Sequence, residues 1–227
     1  MKELTRNDLF MGQLFPAGTD KAWKTAWFGG LVVRLALITL ATPVIYSEWF
    51  LPFLKGWISA PGIDPWTAHL TAGGLSEAFP YGLPYVAVFG PPVAFGALVA
   101  GGAGTAFALG LTVLVLDILL AVLIHRSTPC YAKSSYLIYW LNPVTIYVCY
   151  WHGQLDVLPV ALMVGGLLAF RNQRFMLAGI MIGVATASKF VMGLVLPFLL
   201  VAHFREARLA PRLWEMISGL GLGAAIF

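Results

Sequence analysis

The sequence predicts an all-α membrane protein, a polytopic bundle of about seven spans with a re-entrant segment on its outer side. Three observations predict it. Hydrophobic residues make up 59% of the 227 positions and charged ones 11%, with a mean hydropathy of +0.83, a balance that a soluble core of this size does not carry. The apolar residues fall into runs of helix-spanning length. The basic residues fall between the runs, in a pattern that the positive-inside rule converts into a topology. Most of the net charge of +4 follows from that topology, so no nucleic acid is implied. Cys130 and Cys149 lie in or beside apolar segments without ligand-like spacing. They signal neither a disulfide framework nor a metal site and read as small packing residues.

Residues 1–25 are polar, with Lys2, Arg6, Lys21 and Lys24, and form a cytoplasmic N-terminal segment. Residues 26–227 form one transmembrane module. Its first apolar run, 26–46, lacks a convincing cleavage site and reads as an uncleaved anchor pointing outward. An outer loop over 47–104 follows. Its first part holds Pro52, Pro61, Pro65 and Pro80 with three spaced acids, Glu48, Asp64 and Glu77, which suits a folded, partly interfacial loop. Within it Gly90-Pro91-Pro92 interrupts one apolar piece, and Gly101-Gly102-Ala103-Gly104 separates that piece from the clean run 105–124. If both pieces spanned, the basic stretches Arg126/Lys133, Arg171/Arg174 and Arg205/Arg208/Arg212 would all lie outside, against the rule. Residues 83–100 are therefore assigned to a re-entrant or surface-lying segment, and 105–124 crosses inward.

The remaining spans follow: 136–150 outward, 157–170 inward, 175–188 outward, 190–203 inward, and an outward run from 213. All but three of the 14 Lys/Arg are then cytoplasmic, the exceptions being Arg34, Lys55 and Lys189. A single helix over 175–203 would bury Lys189 at its centre and reverse the last basic cluster, so it is rejected. The 175–188 helix rises about 21 Å at ~1.5 Å per residue, short of a ~30 Å hydrocarbon core. Lys189 is thus expected to sit recessed below the outer surface. The stop at Phe227, inside an apolar run, suggests a truncated product or the front part of a longer one.

Polar groups at membrane depth read as functional by default. His152, Gln154 and Asp156 lie together between two spans, with His152 and Asp156 spaced four apart as on one helix face; they are expected to contact a ligand. Lys189, facing this loop, suits an anion. Arg34 and Asp117 lie at equal depth with opposite charge and suggest a structural pair inside the bundle. Asn142-Pro143 marks a kink or shapes the adjacent loop.

Leu141-Asn142-Pro143, Gly153-Gln154-Leu155-Asp156, Gly183-Val184-Ala185-Thr186-Ala187-Ser188-Lys189 and Leu196-Pro197 occur in that order. With Phe79-Pro80-Tyr81-Gly82 and Leu116-Asp117-Ile118-Leu119-Leu120, they resemble the GT-C fold glycosyltransferases. The likeness is closest to the polyprenyl-phosphate-sugar-dependent mannosyltransferases, including the enzyme that adds the first mannose of the GPI anchor, and covers about residues 27–203. The resemblance implies a catalytic acid in the first outer loop, often within Asp-x-Asp. Here the place reads Tyr46-Ser47-Glu48-Trp49. Glu48 is the preferred catalytic residue and Asp64 the other candidate, whose alternative role is turn initiation before Pro65. With one acid in place of two, a divalent cation, Mg or Mn, is a candidate cofactor only, and none is assigned.

The resemblance thus implies an inverting transfer of a mannose-like hexose from a polyprenyl-phosphate sugar to a lipid or glycan acceptor. The reaction is expected at the outer face of a plasma (inner) membrane rather than the endoplasmic reticulum. Lys189 would stabilise the leaving phosphate, and His152, Gln154 and Asp156 would hold sugar or acceptor. Two rivals come from other classes. One is a non-catalytic GT-C-like subunit that binds a lipid-linked sugar or a partner chain. The other is a transporter, disfavoured by the lack of an inverted repeat.

Overall fold

The structure is a computed structural model and describes residues 21–60, 62, 64–128, 132–205 and 212–225. The expectations for Lys2, Arg6, Cys130, Arg208 and Phe227 lie outside the described residues. Every regular element among the described residues is helical. Helix α1 is Lys21–Leu40; a π-helical turn, Tyr46–Phe50, leads into α2, Leu51–Ser59, and α3 is Pro65–Thr71. Helix α4 is Leu83–Ser127, α5 Ala132–Trp140, and α6 the single turn Pro143–Ile146, which runs on into a π-helical Tyr147–His152. Then come α7, Val157–Arg171, α8, Phe175–Ser188, a 3₁₀ segment Phe190–Val195, α9, Leu196–Arg205, and α10, Leu213–Ala225. By length and composition α1 and α4 are long and apolar enough to cross a membrane, while 157–171, 175–188 and 190–202 are shorter apolar helices.

Helix α4 is two helices. Ala100 and Gly101 leave helical geometry, Gly101 at φ +58°, ψ −138°, a region essentially closed to residues with a Cβ. A straight helix would hold Gly96 and Gly104 about 12 Å apart at ~1.5 Å per residue. Instead a Cβ on either would collide with the other's carbonyl, so the chain folds back on itself. The first arm begins where Gly82 N–H donates to the Ser188 carbonyl (3.0 Å). It ends beside Thr39, Thr42 and Ser47, which share a cleft with Ala100 and Gly102. The 83–100 arm thus runs between a contact with the end of α8 and the cleft beside the end of α1.

From that turn the second arm runs antiparallel to α1, with Gly110 against Ile38 and Asp117 paired to Arg34. Residues 132–152 run back alongside α1: Tyr136 stacks on Trp23 and Trp140 on Trp27, while Gly153 reaches Pro43 and Tyr46. Helix α7 returns, and at its foot the Arg171 guanidinium donates to the Ser127 carbonyl at 2.9 Å. Helix α8 climbs again, Gly166 meeting Ile182. These contacts run the second arm of α4, the 132–152 segment, α7 and α8 in alternating directions beside α1. The break at 141–142 has a local cause: the Asn142 side chain accepts from Val144 N–H (2.8 Å) and caps α6 at Pro143.

Helices α8 and α10 run parallel at backbone contact. Gly179 and Gly183 on α8 face Gly219 and Gly223 on α10, where a Cβ on Gly219 would strike the Met176 carbonyl and one on Gly179 the Met216 carbonyl. Two small-xxx-small motifs thus meet, the device by which helices approach closely where lipid removes the hydrophobic drive between them. The exterior agrees. Leu40, Leu98, Phe190 and Phe198 are three-quarters or more exposed, while Arg34 and Asp117 are fully buried. Apolar side chains outside and an ion pair inside suit a lipid solvent.

Candidate functional site

Three segments of the chain, around Tyr81, Gln154–Asp156 and Lys189, meet at the site end. Gly153, at φ +93°, stops the Tyr147–His152 turn in a left-handed conformation that glycine adopts without a Cβ penalty. Leu155 then buries, and Asp156 stands at the N-cap of α7 without capping it. Its carboxylate turns instead to Lys189, whose Nζ lies 2.7 and 2.8 Å from the two oxygens. Lys189 can point there because it leaves α8 in an extended conformation, φ −148°, ψ 109°. The side chains of the pair are 36% and 34% exposed, so the bridge contributes little stability, about 0–1 kcal/mol. Its polar atoms face outward, within reach of a ligand.

Tyr81 closes the group from a third segment. Its hydroxyl donates to Gln154 Oε1 at 3.0 Å, and the Lys189 Nζ lies 5.7 Å from its ring centre. Burial, followed by the Asp156 charge, pushes the Tyr81 phenol well above its ordinary value, which keeps it a neutral donor. Tyr81 stacks on buried Tyr85 at 4.1 Å, whose own hydroxyl has no hydrogen-bond partner among the described residues. In the sequence Tyr81 stands out only as part of the Phe79-Pro80-Tyr81-Gly82 motif. Its isolated hydroxyl in a Phe-Pro-Tyr-Gly turn carried no spacing that tied it to Gln154, 73 residues away.

His152 is not in this group. The reading that placed it on one helix face with Asp156 assumed continuous helix, and Gly153 breaks it. His152 is exposed and packs edge-on against Tyr147, ring centres 6.3 Å apart.

Glu48 and Asp64 lie apart from each other in role. Asp64 Oδ1 accepts from the backbone N–H of Trp66 (3.1 Å) and Thr67 (3.0 Å), and Oδ2 from the Thr67 hydroxyl (2.6 Å). It caps α3, and these bonds, the Thr67 side chain first, hold its carboxyl below the usual range. Glu48 is exposed on the Tyr46–Phe50 turn. Tyr46 and Phe50, on the other side of that turn, pack against Gly153 and Tyr81. Ser47 and Leu51 line a cleft of about 590 Å³ that continues past Lys55. The turn therefore packs against Gly153 and Tyr81 through Tyr46 and Phe50 and borders the cleft through Ser47. Among the described residues no trio of His, Cys, Asp and Glu converges, and both Asp64 oxygens are engaged in the α3 cap.

Arg34 and Asp117 form a buried support. Arg34 Nε donates to Asp117 Oδ2 at 2.7 Å, with both side chains at 0% exposure. Its Nη1 donates to the Gly30 carbonyl (3.1 Å), and its guanidinium lies 3.7 Å over the Trp140 ring. The Tyr150 hydroxyl donates to Asp117 Oδ2 (2.7 Å), and the Tyr139 hydroxyl donates to Oδ1. One carboxylate thereby ties α1, α4 and the 132–152 segment, and fixes Tyr150 three residues before Gly153.

No curated protein and no solved structure gives a match to the chain. The model of glycosyltransferase family 87 matches residues 79–225, well over half of the sequence. That span contains Tyr81, Asp117, Gln154, Asp156 and Lys189 and leaves Glu48, Lys55 and Asp64 before it. With the apolar exterior and the buried ion pair, the match makes this a membrane glycosyltransferase of GT-C type, and the chain belongs to glycosyltransferase family 87.

Proposed function

We propose that the chain transfers a mannose-like hexose from a polyprenyl-phosphate sugar to a lipid or glycan acceptor at the outer face of the plasma (inner) membrane, with inversion. The observation that carries this reading is the outward-facing Asp156–Lys189 pair with Tyr81 and Gln154 beside it, at the end of the bundle remote from the basic one. Carboxylate, amide, phenol and amine in one cluster offer both acceptors and donors to sugar hydroxyls. Two of the three Lys189 N–H groups are already directed at Asp156. With its charge balanced, Lys189 suits a hydroxyl better than the phosphate first expected for it.

Glu48, exposed and without a hydrogen-bond partner among the described residues, is the general base. It takes the acceptor proton as the acceptor oxygen attacks the anomeric carbon from the face opposite the leaving group. The bond from that carbon to the phosphate oxygen breaks, and polyprenyl phosphate departs. Membranes bearing the chain, supplied in turn with polyprenyl-phosphate-linked mannose, glucose and galactose, test the reading. One donor should support transfer that Asp156→Asn and Lys189→Gln each weaken through KM. No transfer from any of them would retire the catalytic reading in favour of a sugar-lipid-binding subunit.

A further inference from the structure

Helix α7 opens at Asp156 of the sugar-binding group and closes at Arg171, about 22 Å further along at ~1.5 Å per residue. There its last two turns stand beside the last turn of α4 without closing on it. The groove between them holds about 330 Å³, walled by Ile124, Val164, Leu167 and Leu168 and ending at Ser127, Thr128 and Arg171. Positions 164, 167, 168 and 171 share one face of α7, and 124, 127 and 128 share one of α4. Each helix therefore lends the groove a stripe that is apolar along its length and polar at its last turn.

The mouth is cationic and has no counter-charge. The Arg171 guanidinium donates one N–H to the Ser127 carbonyl, which anchors it against α4, and its other donors have no acceptor among the described residues. The two helices that frame the groove bring two acids, Asp117, buried against Arg34, and Asp156, bonded to Lys189 at the opposite end of α7. Neither serves Arg171. The acceptors at the mouth, by contrast, are spent. The Ser127 and Thr128 hydroxyls donate to the Leu123 and Ile124 carbonyls at 2.8 and 2.9 Å, and the Leu168, Ala169 and Phe170 carbonyls accept from the backbone of Asn172, Arg174 and Gln173. With both helix ends satisfied within the chain, an ammonium headgroup finds no partner there and a phosphate does.

We infer that this groove seats an acidic phospholipid of the surrounding bilayer, one acyl chain between α4 and α7 and its phosphate on Arg171. The apolar walls, open to the exterior at Leu167, 38% exposed, suit a lipid over a free anion, which would gain nothing from Ile124 or Val164. On the positive-inside orientation the lipid belongs to the cytoplasmic leaflet, across the membrane from the sugar-binding group. The site does not depend on which sugar the chain transfers. By bridging α4 and α7 the lipid steadies the helix whose N-cap is Asp156.

The test is native mass spectrometry of the purified full chain in neutral detergent, titrated with phosphatidylglycerol and with phosphatidylcholine of the same acyl chains. Phosphatidylglycerol should bind more tightly by about fivefold or more, the worth of one cation facing an anionic lipid. Arg171→Gln should erase that preference, Arg171→Lys should keep it, and Leu167→Trp, which fills the groove, should weaken both lipids. Arg126 is exposed and outside the groove lining. Arg126→Gln removes an equal charge from the same turn of α4 and should leave the preference intact. Equal losses in the Arg126 and Arg171 variants would mean diffuse surface attraction and overturn the site. Retained preference in Arg171→Gln overturns it as well and leaves Arg171 as a cap on α4. Wild-type affinity for both lipids in Leu167→Trp, or displacement of the lipid by millimolar glycerophosphate, which has the headgroup chemistry without the chains, overturns the lipid assignment.

Discussion

Glu48 and Asp64 separate at the level of single oxygen atoms. Asp64 spends both on α3 and its Thr67 hydroxyl, whereas Glu48 has both free for a proton. Glu48→Gln, which keeps size and removes basicity, should lower turnover by about 10²–10⁴-fold with donor binding retained. Asp64→Asn should leave turnover near wild type. Full activity in the first variant and loss in the second would move the base to Asp64. Because folding lowers the Asp64 pKa, the stability it contributes is present above the ordinary aspartate range and fades as pH falls through the lowered value. The buried Arg34–Asp117 pair was legible in the sequence because two opposite charges at equal depth leave each other as the cheapest partner. Either single change to Ala should destabilise by about 3–5 kcal/mol through the uncompensated charge, and thermal unfolding of the double variant should recover part of that loss. Strict additivity would contradict the pairing.

At the scale of elements, the apolar runs made the all-helical character readable, and the glycine cluster at 101–104 marked the place where α4 breaks. The shared face of His152 and Asp156 does not form, because spacing of four implies one only where the backbone stays helical, and Gly153 at φ +93° ends that. The parallel contact of α8 with α10 was not legible either. Small-xxx-small patterns are frequent in apolar sequence, and nothing local says which two will meet. The contact gives a sharp expectation. Gly219→Leu should force α8 and α10 apart at a cost of about 1–3 kcal/mol or more, read as a lower melting temperature in detergent. Gly221→Leu, two residues away on a face with nothing within 4 Å of a Cβ, should be tolerated. Equal effects would mean that the glycine seam does not hold the helices.

For the whole molecule, the alternation of helix direction gathers Lys24, Arg126, Arg171 and Arg174 toward one end and Tyr81, Gln154, Asp156 and Lys189 toward the other. In a chain with Cys130 and Cys149 replaced by Ala, single cysteines at the exposed positions His152 and Asn172 should react with an impermeant maleimide from opposite sides of the membrane, His152→Cys from outside. Reversed sidedness would invert the reaction's compartment; labelling from one side only would dismantle the bundle. Gly153 is the wrong position for such a probe, since its φ and its contact with Pro43 and Tyr46 leave no place for a side chain. The glycine seam has a further consequence, in time rather than space. Helix α8 is finished at Ser188, but its partner is complete only at Ala225. At about 5–20 residues per second of synthesis, the bare glycine face of α8 waits a few seconds inside the membrane before α10 arrives. During that interval any other helix with a small-residue stripe competes for the same seat, so the bundle's yield depends on how fast the ribosome delivers α10.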